Sequence, residues 1–209
     1  SKQNREALIQ RGFNGQTVKT IPSYFNETTL ESKLSVNEIR KNRFTLSMVG
    51  FLSHRKGQLY LLHALTQIKK RNHPIIENIQ VNLVGDGEER FTLMKYIEDN
   101  SLDNIVTLWG VRSDYIYFIQ ECDVYMMTSV EGEDLPLVLL SAMQSKCCII
   151  ASDFAGISDL LTHQYDAFLV KPDLETIASE MADAIVYLYE HSEVRKTLSE
   201  NVEHTFNEK

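Results

Sequence analysis

Glu131-Gly-Glu-Asp-Leu-Pro-Leu-Val-Leu-Leu-Ser-Ala-Met143, followed by Cys147-Cys-Ile-Ile-Ala-Ser-Asp153, decides how this chain is read. Acidic side chains sit in a loop, a Leu-Pro-Leu turn starts an apolar helix, and a buried strand follows. A helix start leaves backbone N–H groups without intrahelical partners, so it offers an anion site. Carboxylates beside such a site suit a ligand that carries both phosphate and hydroxyl groups, such as a sugar nucleotide. The same pattern also suits a capped core helix next to a solvated acidic loop, and this stretch alone leaves both readings open.

Working outward, apolar strands alternate with amphipathic helices. Phe44–Val49, Ile79–Val84, Ile105–Leu108, Asp123–Met127, Cys147–Ala151 and Ala167–Val170 read as strands. Helical spacing follows the first through Leu61, Leu62, Leu65 and Ile68. A second helix, from about Glu88 to Asn100, is expected to carry Phe91, Met94 and Ile97 on its apolar side. A short one covers Tyr115 to Gln120. Asp173 is expected to cap a helix whose apolar positions run from Leu174 to Leu188, and Ser192 to cap another ending near Phe206. Near-continuous apolar strands separated by helices predict an α/β fold, a doubly wound parallel sheet of Rossmann-like type. Residues 1–16 read as a polar helix or linker segment and residues 17–209 as one Rossmann-like domain. Thr17–Ile21 is a candidate lead-in strand.

Bulk composition narrows the function. With 209 residues and 43% hydrophobic content, the chain can bury one sizeable core. A formal charge of -8 with no basic stripe argues against nucleic acid as a partner. No apolar run reaches the length of a bilayer span, and no secretory signal opens the chain. The start at Ser1 reads as that of an excised or processed piece. Cys122, Cys147 and Cys148 make no disulfide framework, so all three are expected to be reduced and buried, which points to the cytoplasm.

In doubly wound sheets, ligands sit outside the carboxyl ends of the strands. The loops at that end therefore form a set. Gly50-Phe-Leu-Ser-His-Arg-Lys-Gly57 places Arg55 and Lys56 just before a helix, a candidate diphosphate clamp that equally reads as a solvated pair. It lacks the Walker spacing. His54 in the same loop is either a phosphate contact or a plain exposed histidine. Gly85-Asp-Gly87 allows close approach to the backbone, as any turn of that composition does. Trp109-Gly-Val-Arg112 is the third loop, and the acidic loop is the fourth. Tyr115, Tyr117 and Phe118 read as packing residues, and the six histidines show no metal-ligand spacing.

Taken together, these motifs resemble the nucleotide-sugar-binding half of a GT-B glycosyltransferase of the retaining family 4, related to glycogen synthase. Val49–Gly57 is similar to the family's Gly-Arg-Leu…Lys-Gly loop and Val84–Arg90 to its Val-Gly-x-Gly segment. Asp123–Ser129 stands ahead of the acidic motif, and Ala151–Gly156 resembles the turn after it. Thr20-Ile-Pro22 sits where the family enters this domain. The likeness runs from about Val18 to Phe206.

The resemblance implies a hexosyl transfer from a nucleoside-diphosphate sugar to a glycan, lipid or other acceptor. It implies that Glu133 touches the donor sugar and that Lys56 balances charge on the leaving diphosphate; these two are the catalytic candidates. Around them, Arg55, Gly85, Val111, Arg112, Leu137, Val138 and Ser141 are the expected nucleotide-sugar contacts, with the amides of Leu137 and Val138 near the diphosphate. The fold generally works without a metal, and no cofactor is implied beyond the donor substrate. Two positions depart from the family. Ser141 stands where a second glutamate holds the ribose hydroxyls, and Phe51 stands where an arginine binds phosphate, so Arg55 is expected to substitute. A separate N-terminal acceptor domain is implied as partner, and through it a peripheral contact with the inner face of a membrane. Alone, these residues are expected to bind donor without transferring sugar. Two alternatives stay open: a binding or interaction domain that lost its chemistry, and a GT-B-like nucleotide-sugar epimerase.

Overall fold

A computed structural model describes residues 10, 38–39, 41–131 and 137–208. The expected N-terminal segment, the lead-in strand at Thr17–Ile21, and Glu133 with its neighbours in the acidic loop lie outside the described residues. Strands β1 (Phe44–Val49), β2 (Ile79–Val84), β3 (Val106–Gly110), β4 (Val124–Met127), β5 (Ile149–Ser152) and β6 (Phe168–Val170) form one sheet in the order β3-β2-β1-β4-β5-β6. Every pairing is parallel. This is the doubly wound order with its switch point between β1 and β4.

Side chains alternate across each strand, so each face builds its own core. Leu46, Met48, Val81, Leu83, Val124, Met126, Cys148 and Ile150 face one layer. That layer holds α1 (Gln58–Lys70), α2 (Arg90–Asp99) and α6 (Ile177–Glu190). Tyr125, Met127, Cys147, Ile149 and Ala151 face the other. There α3 (Tyr115–Gln120), α4 (Leu137–Gln144) and α7 (Ser192–Glu208) pack, while α5 (Ala155–Ser158) is a single turn after β5. The central strands bury both faces; β4 and β5 accordingly run almost wholly apolar, whereas β1 and β2 alternate apolar residues with buried Thr45, Ser47, Gln80 and Asn82.

Asn82, buried on the central strand β2, is paired at both ends of its amide. Asn82 donates to the Ile39 carbonyl at 3.0 Å and accepts from the Trp109 indole N–H at 2.9 Å. On the outer strand β6, the outward Leu169 N–H donates to His163 Nδ1, and the N–H of Lys171 just beyond it donates to Glu180 Oε2. Side-chain acceptors thus occupy donors that an exposed edge would offer to another chain.

The expected apolar side of α2 needs correction. Leu93 and Ile97 are buried, whereas Phe91 is 80% exposed and Met94 46%. The helix starts at Arg90 rather than Glu88, and Leu93 and Ile97 are the i, i+4 pair that meets the sheet. Leu174 is exposed and precedes α6, which begins three residues later. Asp173 still shapes the approach, because its carboxylate accepts from the Glu175 N–H.

Asp166 ties α7 to the loop before β6. It is 1% exposed, accepts from the Thr162 N–H at 2.6 Å, and accepts from the Thr205 hydroxyl at 2.7 Å. Asp166→Ala removes a doubly bonded carboxylate and strands two donors. It is expected to cost about 2–4 kcal/mol of stability. Equilibrium urea unfolding checks this; a change below about 0.5 kcal/mol would show that water replaces the carboxylate at no cost.

Candidate functional site

The site lies at the carboxyl ends of β1 and β4, where neighbouring connections leave on opposite faces of the sheet. Three loops interlock there. The β1 loop is bonded to the β2 loop through Gly50 N–H to Val84 O, Leu52 N–H to Asp86 O and Glu89 N–H to Leu52 O. It is bonded to the end of β4 through Val130 N–H to Arg55 O at 2.8 Å. Two glycines allow this approach. Gly57 has φ +81°, and a methyl group there would lie 2.0 Å from the Thr128 carbonyl oxygen. Gly85 has φ +138°, and its methyl group would lie 1.9 Å from the Gly50 oxygen. No side chain fits either place.

Gly50 differs. A methyl group there meets no described atom within 4 Å, and its φ is not in the left-handed region. The backbone at Gly50 therefore borders open space at the switch point. Phe51, next to it, is 56% exposed, with its carbonyl held by the side-chain amide of buried Gln58 at 3.0 Å. His54, Arg55 and Lys56 form a single 3-10 turn that runs into α1 through Gly57. Arg55 is exposed and Lys56 half-buried.

His54 is committed to neighbours within the protein. Its Nε2 lies 3.2 Å from the Tyr60 hydroxyl and its Nδ1 3.8 Å from Glu131 Oε1. The pair joins the β1 loop to the first residue of the acidic loop. Sequence reasoning missed it, because Glu131 stands 77 positions from His54 and only the sheet order brings the loops together. Further along α1, burial lowers the His63 pKa, and the ring sits against Tyr60 and Tyr96.

Val111 is 80% exposed on the loop after β3. Arg112 is bound bidentately by Asp114, with both N–O distances 2.9 Å, and that carboxylate holds the guanidinium firmly in its charged form. A carboxylate two residues on was the available signal for that engagement. Leu137 opens α4 and is 52% exposed, and Val138 is half-buried. Ser141 is fully buried, and its hydroxyl donates to the Leu137 carbonyl at 3.2 Å. The hydroxyl is thus turned into its own helix. Phe118 is fully buried and packs edge-on against Trp109 at 5.0 Å, which bears out its reading as a packing residue. No group of three or more His, Cys, Asp or Glu side chains that could hold a metal occurs among the described residues. Nor is any described helix long and apolar enough to cross a membrane.

Comparison with known proteins gives this arrangement a context. Residues 31–205 match the family described as glycosyl transferases group 1. The chain is 29% identical over 159 residues to the UDP-Gal:alpha-D-GlcNAc-diphosphoundecaprenol alpha-1,3-galactosyltransferase of Escherichia coli, covering 76% of this chain and 40% of that protein. It is 28% identical over 201 residues to the N,N'-diacetylbacillosaminyl-diphospho-undecaprenol alpha-1,3-N-acetylgalactosaminyltransferase of Campylobacter jejuni, covering 96% and 49%. Among solved structures, Anabaena HepE in complex with UDP superposes with a TM-score of 0.84 at 26% identity, over all of this chain and 57% of that one. The chain thus spans about half the length of the curated relatives it matches.

Proposed function

The chain belongs to the glycosyl transferases group 1 family, and from that premise we propose that it is the donor-binding half of a retaining family 4 glycosyltransferase. The donor class we assign is a UDP-sugar, and the acceptor class a lipid-linked or glycan hydroxyl. Structural likeness to a UDP complex and the UDP-Gal and diphosphoundecaprenol in a relative's name support those classes. Glu133 is proposed to contact the transferred sugar, and a separate acceptor domain to complete the enzyme.

One observation carries the reading. The cationic turn Arg55-Lys56 is bonded through its backbone to the end of β4, the strand that leads towards α4, which supports a diphosphate site at the switch point. A nucleoside diphosphate leaving group gains negative charge as the glycosidic bond breaks. Fixed cations and helix-start amides stabilise that charge most in the transition state, and this differential accelerates the step. With the Ser141 hydroxyl donated to Leu137, the proposed ribose contact does not come from that side chain as placed here. Val111 and the backbone around Gly85 and Arg112 remain the proposed nucleoside contacts.

The test is a calorimetric titration of the intact protein with UDP, GDP and ADP. Saturable UDP binding is expected, weakened at least about 10-fold in Gly50→Ala, a change of about 1.4 kcal/mol. The same substitution should leave stability unchanged or slightly raised, because the methyl group meets only open space. Absence of saturable nucleotide binding would sink the donor-site reading. Phe51 and the inward Ser141 favour a second reading, a nucleotide-binding domain without chemistry. Sugar transfer by the intact protein separates the two.

A further inference from the structure

At the opposite end of the sheet, two cysteine thiols converge on one acceptor. Cys122, on the turn between α3 and β4, donates to the Ile119 carbonyl at 3.1 Å. Cys147, on the turn between α4 and β5, donates to the same oxygen at 3.0 Å. Both sulfurs thus lie around one carbonyl oxygen on the same face of the sheet. Cys148 is separated from them by strand geometry: it faces the first core layer, whereas Cys147 and Cys122 belong to the second. A contact of this kind brings together sulfurs that are 25 positions apart in the chain.

We propose that Cys122 and Cys147 form a reversible disulfide, a modification site at which a hydroperoxide is the oxidant. Cys122 is partly exposed as a residue whereas Cys147 is 4% exposed, so Cys122 is assigned as the attacking thiol and Cys147 as the resolving thiol. In the first step the Cys122 thiolate attacks the peroxide oxygen. The O–O bond breaks, a sulfenic acid forms and one alcohol or water leaves. Cys147 sulfur then attacks Cys122 sulfur, the S–O bond breaks, and water departs with the Cys147 proton. Two thiols are oxidised by two electrons and one peroxide is reduced, so the step balances.

Burial holds the Cys122 thiol well above its ordinary pKa, with the neighbouring Cys147 adding to the effect. The thiolate fraction at neutral pH is therefore small, and the pair stays reduced under mild conditions. Cys148 is pushed up to about 12, mainly by burial, and takes no part. The stretch of chain closed by the bond includes β4 and α4. Oxidation would tie down the amino end of β4 and the carboxyl end of α4 together. Closing a loop of that length stabilises chiefly by restricting the unfolded chain.

The experiment treats the reduced intact protein with hydrogen peroxide, quenches it by alkylation and maps the peptides by mass spectrometry. A Cys122–Cys147 cross-linked peptide is expected, with Cys148 still alkylated and the cross-link undone by dithiothreitol. In Cys147→Ser, a sulfenic acid at Cys122 should be trapped by dimedone. The oxidised wild type should melt at least about 5 °C higher than the reduced protein. Full alkylation of all three cysteines after peroxide, oxidation of Cys122 without loss of the Cys147 thiol, or a cross-link through Cys148 would each overturn the proposal. Because the readout is covalent, it is independent of nucleotide binding.

Discussion

Gly57→Ala is expected to destabilise the intact protein by about 3–5 kcal/mol, combining left-handed backbone strain with a steric overlap in a packed loop. The added methyl group would lie 2.0 Å from the Thr128 carbonyl oxygen, well inside van der Waals contact. Relief requires moving either the end of β4 or the 54–56 turn, and both are held by the Val130–Arg55 backbone bond. The residue also opens α1, so the strain cannot be passed to a flexible neighbour. Denaturant unfolding reads the effect as a lower midpoint with an unchanged slope. A loss below about 1 kcal/mol would mean that the three loops are not tightly nested, and the geometric basis of the candidate site would fail with it. Gly50→Ala, seven residues earlier, is the internal control, because the same chemical change there meets open space.

Lys56→Ala is expected to reduce turnover of the intact enzyme about 100- to 1000-fold, the range found for removing one donor aimed at developing charge. The ground-state affinity for UDP should fall much less than turnover, because the lysine acts on charge that appears as the bond breaks. Lys56→Arg should recover part of the rate. A decrease below 10-fold in Lys56→Ala would shift the charge-balancing role to Arg55 and the start of α4. Arg55→Ala then becomes the deciding variant, and unchanged affinity and turnover in it would end the idea that it replaces the cation missing at Phe51.

Both predictions concern loops whose residues were legible and whose contacts were not. Phe44–Val49 and Ile79–Val84 match their expected limits, because an alternating apolar pattern closed by glycine has few other solutions in a protein of this size. Tyr115–Gln120 matches as well. Phe91 and Met94 failed as core residues because helical spacing identifies an apolar face without saying which of two overlapping stripes meets the sheet. Leu93 and Ile97 fill that place, and a start two residues later sets the phase. Cys122 and Cys147 were expected to be reduced, buried thiols with no disulfide framework. Cys122 is half-buried, and both are drawn to one carbonyl by the pairing of β4 with β5.

Local chemistry in the chain was enough to determine the class of fold and the end of the sheet at which to look for a ligand. Apolar periodicity, turn residues and parallel connections act over a few residues and leave little choice. Tertiary structure alone decided which groups face the crevice and which are already engaged. Ser141 turns into α4, Arg112 is taken by Asp114, and His54 reaches Glu131 across the loops. Each outcome depends on competition among hydrogen-bond partners brought together by strand order, a physical contest between residues distant in sequence.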